Sequence, residues 1–474
     1  MKFAASKYLV KKETGSPTKY AVYHNVFGGC IQLNSEEMAF LSWLEKPRQL
    51  DQIRTYPYIP NPVYNFDLFR QQRFVLPLGE DDRIINQYSH KVLGESSHID
   101  LRVLYLFVTN ACNMRCKYCY VPADLKEESG CLMSWDTAQM AVDQLFSRAT
   151  ANGVDLVTIR FLGGEPFLNF SLLKAVVEYA TEISGQLGLS VNFGVNTNAT
   201  VINGEIAEWA SKQRNLSIVV SLDGTPSIHD RCRVFPDGRG TGQVVESAIN
   251  LLCSHGVTPA VNCVIASHNK DHFEGLLDTI CKLGLSNLAI EFASIIPEKA
   301  LQSGIQPLTS DERLEFFKKA WVLAHIRDVN LSGEWKFAVA HLQNGSAYFC
   351  NAGSRALVIE AGGTIYPCPR QVGHERSVMG EVHEEFLNGI SLSCNEVYAK
   401  WVQRSPLFKA SCSGCSLTGI VSGGCPGEEA NSACCSSREY FAGLIDFILE
   451  QPPETWEFND MDRQLHGMYY ESSR

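Results

Sequence analysis

Three cysteines lie close together in the stretch TNACNMRCKYCYVP, which begins at Thr109. Cys112, Cys116 and Cys119 have the spacing C-x3-C-x2-C and come directly after the apolar run LRVLYLFV. Thiolates at such short spacings bind zinc or iron–sulfur clusters, and an iron–sulfur cubane ordinarily takes four of them. A metal site with only three protein ligands keeps one position open, as catalytic metal sites do. The spacing therefore indicates a metal site that also binds a small molecule.

The remaining cysteines also favour metal binding over disulfides. The chain has 17 cysteines, and six of them lie between Cys394 and Cys435. Disulfide frameworks are typical of small secreted chains. Here the start MKFAASKYLVKK is not followed by the apolar segment of a signal peptide, and no run of 18 apolar residues occurs. We therefore expect a cytoplasmic protein with no membrane partner.

Charge excludes one class of partner. Lys and Arg number 41 against 52 Asp and Glu, which gives a formal net charge of -11. No basic run stands out along the chain. Nucleic-acid binding depends on a basic surface, so we expect no nucleic-acid partner.

The pattern of apolar residues predicts an α/β fold in several parts. From Leu101 onward, six apolar strands alternate with helical stretches, which is typical of a parallel sheet covered by helices. Short strands precede this region, followed by a helix that Asn34 is expected to cap. From about Ile305 the alternation is expected to stop, in a region rich in Gly, Ser and Cys. The predicted domains are residues 1–95, 96–304 and 305–449, followed by a tail at 450–474.

The first cysteine motif resembles a known family. CNMRCKYCY, with Tyr118 before the third cysteine, resembles the signature of the radical S-adenosylmethionine enzymes. The resemblance implies a partial (β/α)6 barrel, a [4Fe-4S] cluster and S-adenosylmethionine bound at the open iron. In that family, one electron from the cluster cleaves the cofactor to a 5'-deoxyadenosyl radical, which abstracts hydrogen from a substrate.

Later motifs in the same region extend the resemblance. FLGGEPFLN resembles the family segment that receives the amino group of the cofactor, and NTNAT and VSLDGTPSIHDRCR resemble its later cofactor-binding strands. The residues that the resemblance assigns to the cofactor are Tyr118, Gly163, Gly164, Glu165, Asn198, Ser221 and Arg233. The last three are candidates for its carboxylate or ribose.

The C-terminal cysteines resemble the SPASM extension of this superfamily, which carries auxiliary iron–sulfur clusters. Val421 stands where the family pattern has a cysteine, so the ligand set departs from the pattern. The resemblance assigns Cys350, Cys368 and Cys425 to a first auxiliary cluster. It assigns Cys412, Cys415 and one or both of Cys434 and Cys435 to a second. A zinc ribbon at Cys412, Cys415 and Cys425 remains an alternative.

The order of elements in residues 1–95 resembles the small winged-helix domain of enzymes that modify ribosomally made peptides. Such domains bind a precursor peptide as an added strand on a sheet edge. The alternative is a domain that only packs on the barrel. A flavodoxin or ferredoxin is the electron donor that the family implies.

The resemblance thus implies a peptide maturase that installs an oxidative modification, with a thioether or carbon–carbon cross-link as the expected product. One alternative is an anaerobic sulfatase maturase that makes an aldehyde residue on a protein. Another is a non-catalytic iron–sulfur redox or scaffold protein. No spacing in the chain identifies a catalytic side chain apart from the cluster ligands.

Overall fold

The structure is a computed structural model. It describes residues 1–15, 19–95, 100–121, 131–294, 298–353, 355–382, 396–402, 404–409, 412, 414–425, 438–452 and 455. Cys434 and Cys435 lie outside these ranges, so their assignment as ligands stays a prediction. Within the ranges, no helix combines the length and apolar character needed to span a membrane.

The N-terminal part contains two small antiparallel sheets, with strand orders β5-β1-β6 and β2-β3-β4. The strands are β1 (Lys2–Ala5), β2 (Leu9–Glu13), β3 (Tyr20–His24), β4 (Gly28–Leu33), β5 (Arg48–Gln49) and β6 (Val75–Pro77). The helices span Ser35–Trp43, Leu50–Arg54, Pro62–Gln71 and Asp81–Glu95. Asn34 caps the first helix as predicted, because its side chain accepts hydrogen bonds from the backbone N–H groups of Glu36 and Glu37.

A large, mainly parallel sheet forms the centre of the molecule. Its parallel strands are β7 (Val103–Phe107), β8 (Leu156–Leu162), β9 (Ser190–Thr197), β10 (Leu216–Ser221), β11 (Ala260–Ile265), β12 (Asn287–Phe292), β13 (Asn330–Gly333) and β14 (Ala356–Ile359). Two antiparallel strands, β15 (Thr364–Tyr366) and β16 (Gly380–Glu381), extend one edge. The order runs from β13 down to β7 and then β14-β15-β16, with no pairing that closes the sheet among the described strands. The α/β class with an open, partial barrel is thus confirmed.

Helices follow the strands and cover one face of this sheet. They span Trp135–Ala151, Phe170–Leu187, Gly204–Ser211, Pro226–His229, Gly242–Ser254, Phe273–Lys282, Glu298–Gln302, Ser310–Ile326 and Trp335–Asn344. Strand β7 shows how the two faces differ. Leu104 and Leu106 join the main core beneath the helices, whereas Tyr105 and Phe107 belong to a separate cluster with Val358 of β14. Both faces of β7 are buried, as expected for a parallel strand.

The six predicted strand–helix units are all present, but the expectation that the alternation stops near Ile305 is wrong. The helix Ser310–Ile326 leads into β13, which pairs in parallel with β12. Beyond it, β14 pairs in parallel with β7 at the opposite side. Strand β13 has the sequence NLSG, which lacks the apolar run that marks a buried strand. Its place in the sheet comes from tertiary pairing rather than from a local pattern.

The N-terminal part is anchored to the C-terminal cysteine-rich segment by the turn between β3 and β4. The Gly419 N–H donates to the Asn25 carbonyl, and the Asn25 side chain donates to the Cys415 carbonyl at 3.0 Å. A Cβ at Gly419 would lie 2.1 Å from the Val26 carbonyl oxygen. This close backbone contact, at the helix Thr418–Val421, fixes the N-terminal part against the rest of the molecule. The other C-terminal helices span Glu396–Val402 and Arg438–Leu449.

Replacement of Gly419 by alanine is expected to loosen this contact. The new methyl group would meet backbone atoms, which cannot move aside, so we expect a loss of roughly 1–3 kcal/mol in the free energy of unfolding. Thermal unfolding and limited proteolysis of G419A would measure it. In the control G185A, the added methyl group lies in the helix Phe170–Leu187 with no atom within 4 Å. Equal melting temperatures for G419A and the unmodified protein would contradict the proposed anchoring.

Candidate cluster and cofactor site

The loop with Cys112, Cys116 and Cys119 follows β7 at the carboxyl edge of the sheet, and its three thiols are partly buried. The backbone N–H groups of Arg115 and Lys117 donate to the carbonyls of Val234 and Cys232, at 2.8 and 2.9 Å. A second loop, which follows β10, therefore holds the cysteine loop in shape. Carboxyl ends of parallel strands are the usual location of active sites in such sheets.

Hydrogen-bond donors already surround the first thiol. The backbone N–H of Met114 lies 3.4 Å from Cys112 Sγ, and Asn198 Nδ2 lies 3.9 Å from it. Such donors stabilise a thiolate that ligates iron. Among the described residues, no three His, Cys, Asp or Glu side chains converge tightly enough to hold a single metal ion. Three partly buried thiols with these donors fit an iron–sulfur cluster that has one iron without a protein ligand.

Gly163 and Gly164 lie directly against the start of the cysteine loop. A Cβ at Gly163 would lie 2.2 Å from the Thr109 carbonyl oxygen, and one at Gly164 would lie 2.0 Å from the Ala111 carbonyl oxygen. The φ of Gly163 is also +138°, a conformation that side-chain-bearing residues rarely adopt. The Gly164 N–H donates to the Thr109 carbonyl at 2.9 Å. Both glycines are thus required for the position of the loop, whether or not they contact a cofactor.

Glu165 connects the ends of two strands. Its carboxylate accepts hydrogen bonds from the Thr197 hydroxyl at 2.7 Å and from the Asn198 and Phe167 backbone N–H groups at 2.7 and 3.2 Å. The residue is fully buried. Burial raises the pKa of Glu165 to about 7, although the three hydrogen bonds lower it. The predicted contact of Glu165 with the cofactor's amino group stays a prediction, and the carboxylate also has a structural role.

Tyr118 and Arg233 meet on a carboxylate that the sequence analysis did not select. The Tyr118 hydroxyl donates to Asp223, and Arg233 Nε donates to the same carboxylate at 2.9 Å. The Arg233 guanidinium carbon also lies 5.3 Å from the centre of the Tyr118 ring. Burial opposes ionisation, but the Arg233 charge and these hydrogen bonds hold the pKa of Asp223 below its ordinary value. Asp223 follows β10 directly, and its position at a strand end was the available signal.

Asn198 and Ser221 lie at the same edge of the sheet. Asn198 Nδ2 donates to Asn113 Oδ1 at 3.0 Å, inside the cysteine loop. Ser221 is the last residue of β10 and pairs with Asn262 of β11. The structure therefore brings all seven residues assigned to the cofactor to one edge, while their contacts with it remain predictions.

His268, which follows β11, is a further residue that sequence reasoning missed. Its ring centre lies 5.9 Å from that of Tyr118, and neither ring nitrogen has a hydrogen-bond partner within the described part of the chain, although both are buried. Burial lowers the pKa of His268, which favours the neutral ring. Buried polar atoms normally have partners. An unsatisfied donor and acceptor beside the cysteine loop fit a site that holds a polar cofactor.

The auxiliary cysteines lie in two groups. Cys368 lies close enough to Cys350 for the two thiols to interact electrostatically, and Arg370 Nη1 lies 3.8 Å from Cys425 Sγ. Cys412 and Cys415 belong to a tight turn in which the Thr418 hydroxyl donates to both of their carbonyls. These pairings agree with the grouping that the resemblance implies, but they do not test ligation.

Val421, which stands where the family pattern has a cysteine, is a core residue in this chain. It is 1% exposed and lies in the main hydrophobic core, at the end of the helix Thr418–Val421. The His341 ring is hydrogen-bonded to the carbonyl of the preceding residue, Ile420, at 2.9 Å. This chain therefore uses the position for packing.

The raised pKa of Glu165 predicts a pH-dependent stability. The folded pKa of about 7 lies above the ordinary value of 4.5, so the folded chain binds more protons between these values, and the stabilising contribution falls as pH rises through 7. Between pH 6 and 8.5 we expect the ionisation of Glu165 to lower the free energy of unfolding by roughly 1 kcal/mol. Thermal unfolding of E165Q should show a flatter pH profile than the unmodified protein. The control E178Q changes an exposed carboxylate and should keep the original profile; parallel profiles for E165Q and the unmodified protein would refute this prediction.

The part of the chain that contains the cysteine loop matches a known family. Residues 106–280 match the model of the Radical SAM superfamily, and this range includes the cysteine loop and all seven residues assigned to the cofactor. Such domains use S-adenosylmethionine and a [4Fe-4S] cluster, for which the three-cysteine loop is suited.

Similar proteins extend beyond this range. The chain is 23% identical to the radical SAM cyclopropyl synthase TigE of Paramaledivibacter caminithermalis over 446 residues, covering 89% of each protein. It is 24% identical to a serine-type anaerobic sulfatase-maturating enzyme of Klebsiella aerogenes over 419 residues, 84% of this chain and 94% of that protein. The crystal structure of Streptococcus suis SuiB bound to precursor peptide SuiA superposes with a TM-score of 0.54 at 15% identity, covering 92% of this chain and all of that one. The chain is therefore an enzyme that contains a radical SAM domain at residues 106–280.

Proposed function

We propose that this enzyme is a peptide maturase that abstracts hydrogen from a ribosomally made precursor peptide and installs an oxidative modification. The proposal rests on the position of the N-terminal part. Its small sheet is anchored through Asn25 and Gly419 next to the cysteine-rich segment. The fold likeness to SuiB, which was solved with its precursor peptide, covers this part as well. We propose residues 1–95 as the peptide-recognition domain, 96–304 as the barrel, 305–449 as the bridging and SPASM region, and 450–474 as the tail.

In this proposal, each group of residues has one task. S-adenosylmethionine with its [4Fe-4S] cluster supplies a radical that removes a hydrogen atom from the peptide. The loop of Cys112, Cys116 and Cys119 holds that cluster, and Gly163 and Gly164 allow the loop to lie against the next strand end. Arg233 and Tyr118 are held in place by Asp223 beside the loop.

Strand β4 is the edge that we propose for peptide binding. Among the described strands it pairs only with β3, so no described strand occupies its other edge, where we propose that a peptide strand is added. The helix Pro62–Gln71 ends beside it, since a Cβ at Gly29 would contact the Gln72 side chain. That helix exposes Val63 and Tyr64, at 44% and 68%. Val63 and Tyr64 lie at the other end of this helix from Gln72, about 12 Å away at 1.5 Å per residue, and we propose that a peptide on β4 extends to them.

We further propose which kind of bond the enzyme forms in the peptide. A thioether or a carbon–carbon cross-link fits a site that has both a radical-generating cluster and auxiliary clusters at Cys350, Cys368 and Cys425 and at Cys412 and Cys415. The auxiliary clusters would accept an electron from the peptide, so the net outcome is oxidative. A cytoplasmic flavodoxin or ferredoxin is the proposed electron donor for the first cluster.

A sulfatase-maturase-like activity is the second candidate. It is favoured by the relative from Klebsiella aerogenes, at 24% identity over 84% of this chain. That activity would produce an aldehyde residue on a folded or nascent protein. It would leave the free edge of β4 without a role, so we rank it second.

Mass spectrometry of the peptide and the nucleoside tests the proposed function. Anaerobic, cluster-reconstituted protein with a reductant, S-adenosylmethionine and the short peptide encoded beside its gene should form 5'-deoxyadenosine, and the peptide should lose pairs of hydrogens. C112A, C116A and C119A should reduce deoxyadenosine formation by more than about 100-fold, because even the loss of outer-shell metal partners costs 10–100-fold. The control C281A removes an exposed cysteine and should retain activity. Deoxyadenosine without a change in peptide mass would refute the oxidative modification.

Hydrogen exchange tests the proposed peptide edge. Binding of the precursor peptide should slow amide exchange in Gly28–Leu33 by about tenfold, or roughly 1.4 kcal/mol of added protection. The other edge strand, Leu9–Glu13, should exchange at its original rate. Y64D should weaken peptide binding, whereas V322D, on an exposed position of the helix Ser310–Ile326, should leave it unchanged. Protection that appears only at Leu9–Glu13, or nowhere in residues 1–95, would rule out this edge.

A further inference from the structure

Arg370 lies between the cysteine-rich segment and the carboxyl end of the barrel. It occupies the short turn Pro369–Gln371, two residues after Cys368, and about a quarter of its side chain is exposed. Its Nη1 donates to the Ser294 hydroxyl at 3.1 Å and lies 3.8 Å from Cys425 Sγ. Ser294 follows β12, so the guanidinium connects the barrel to a predicted cluster ligand.

The same residue contacts a second predicted ligand. The backbone N–H of Arg370 is hydrogen-bonded to the Cys368 thiol, and its charge acts on that thiol as well. Cys368 in turn interacts with Cys350. One arginine therefore reaches two of the three cysteines assigned to the first auxiliary cluster. A donor set of three thiols with a cation against two of them fits an anionic iron–sulfur cluster.

Neighbouring groups hold the guanidinium in this place. Arg370 Nη2 lies 3.9 Å from Glu291 Oε2, and Glu291 is the fifth residue of β12. The Glu291 side chain is 51% exposed, so solvent screens this ion pair. Tyr120, which follows Cys119, interacts electrostatically with Cys368, Glu291 and Arg370. The guanidinium therefore lies beside Cys368 and Cys425, and Tyr120 links this region to Cys119 of the radical SAM loop.

We propose that Arg370 is a positioning residue that raises the reduction potential of the auxiliary cluster at Cys350, Cys368 and Cys425. A cluster that takes up one electron becomes more negative by one charge, and a fixed cation with hydrogen bonds to the ligand sulfurs stabilises that reduced state. Second-shell donors of this kind tune metal sites without ligating them. The inference rests on the proposed function, because it requires the auxiliary cluster.

Redox titration monitored by electron paramagnetic resonance tests this role in the full-length, cluster-reconstituted protein. R370Q should shift the midpoint potential of the auxiliary signal to a more negative value, whereas R370K, which keeps the charge, should shift it less. The signal of the radical SAM cluster should titrate as in the unmodified protein. R376Q is the matched control, since Arg376 is an exposed arginine in the next turn, Glu375–Ser377. It should leave both potentials unchanged.

Two further measurements distinguish a wrong role for Arg370 from the absence of the auxiliary cluster. If R370Q does not retain its auxiliary iron, S294A takes its place: freeing the guanidinium from its hydroxyl partner should also lower the midpoint, by a smaller amount. An unchanged midpoint potential in R370Q, or in S294A where R370Q loses its iron, would overturn the role of Arg370. Unmodified protein that binds only about four iron atoms per chain, with a single signal, would instead overturn the auxiliary cluster itself.

Discussion

The close contact of Gly163 and Gly164 with the backbone of Thr109 and Ala111 is the constraint on which the site depends. It brings the end of β8 within hydrogen-bonding distance of the start of the cysteine loop, with the Glu165 N–H donating to the Ala111 carbonyl at 2.9 Å. Any side chain at these two positions would push the loop away from the sheet. The glycines therefore act before any ligand binds. They set where the three thiols can be.

A chain of buried polar contacts continues this arrangement around the sheet edge. Glu165 joins the end of β8 to the end of β9, and Asn198 joins β9 back to the cysteine loop through Asn113. Asp223 joins the end of β10 to Tyr118 in the same loop. The ends of β8, β9 and β10 are thus each connected to the loop by at least one hydrogen bond. In a water-poor site such contacts hold groups rigidly, because breaking one leaves a buried polar atom unsatisfied.

Much of this site was predictable from the sequence, because its chemistry is local. The cysteine loop, the paired glycines and Glu165 are contiguous motifs, and the strands beneath them are apolar runs that differ clearly from the helices. The features that were not predicted from the sequence have a different origin. Strand β13 and the packing of Val421 depend on partners far away in the chain, and Asp223 and His268 are single polar residues at strand ends. Single residues carry no period or spacing, so only their neighbours in space reveal a role.

The anchored turn between β3 and β4 has a consequence for how a substrate is chosen. Asn25 and Gly419 hold the N-terminal sheet against the cysteine-rich segment, so a peptide bound to that sheet would start from a defined position. A peptide held at β4 would have to cover the remaining distance with its own backbone, at no more than about 3.3–3.6 Å per residue. The number of residues between the held segment and the reacting residue would then act as a ruler. Selectivity for position would come from counting along the peptide rather than from recognition of the side chain that reacts.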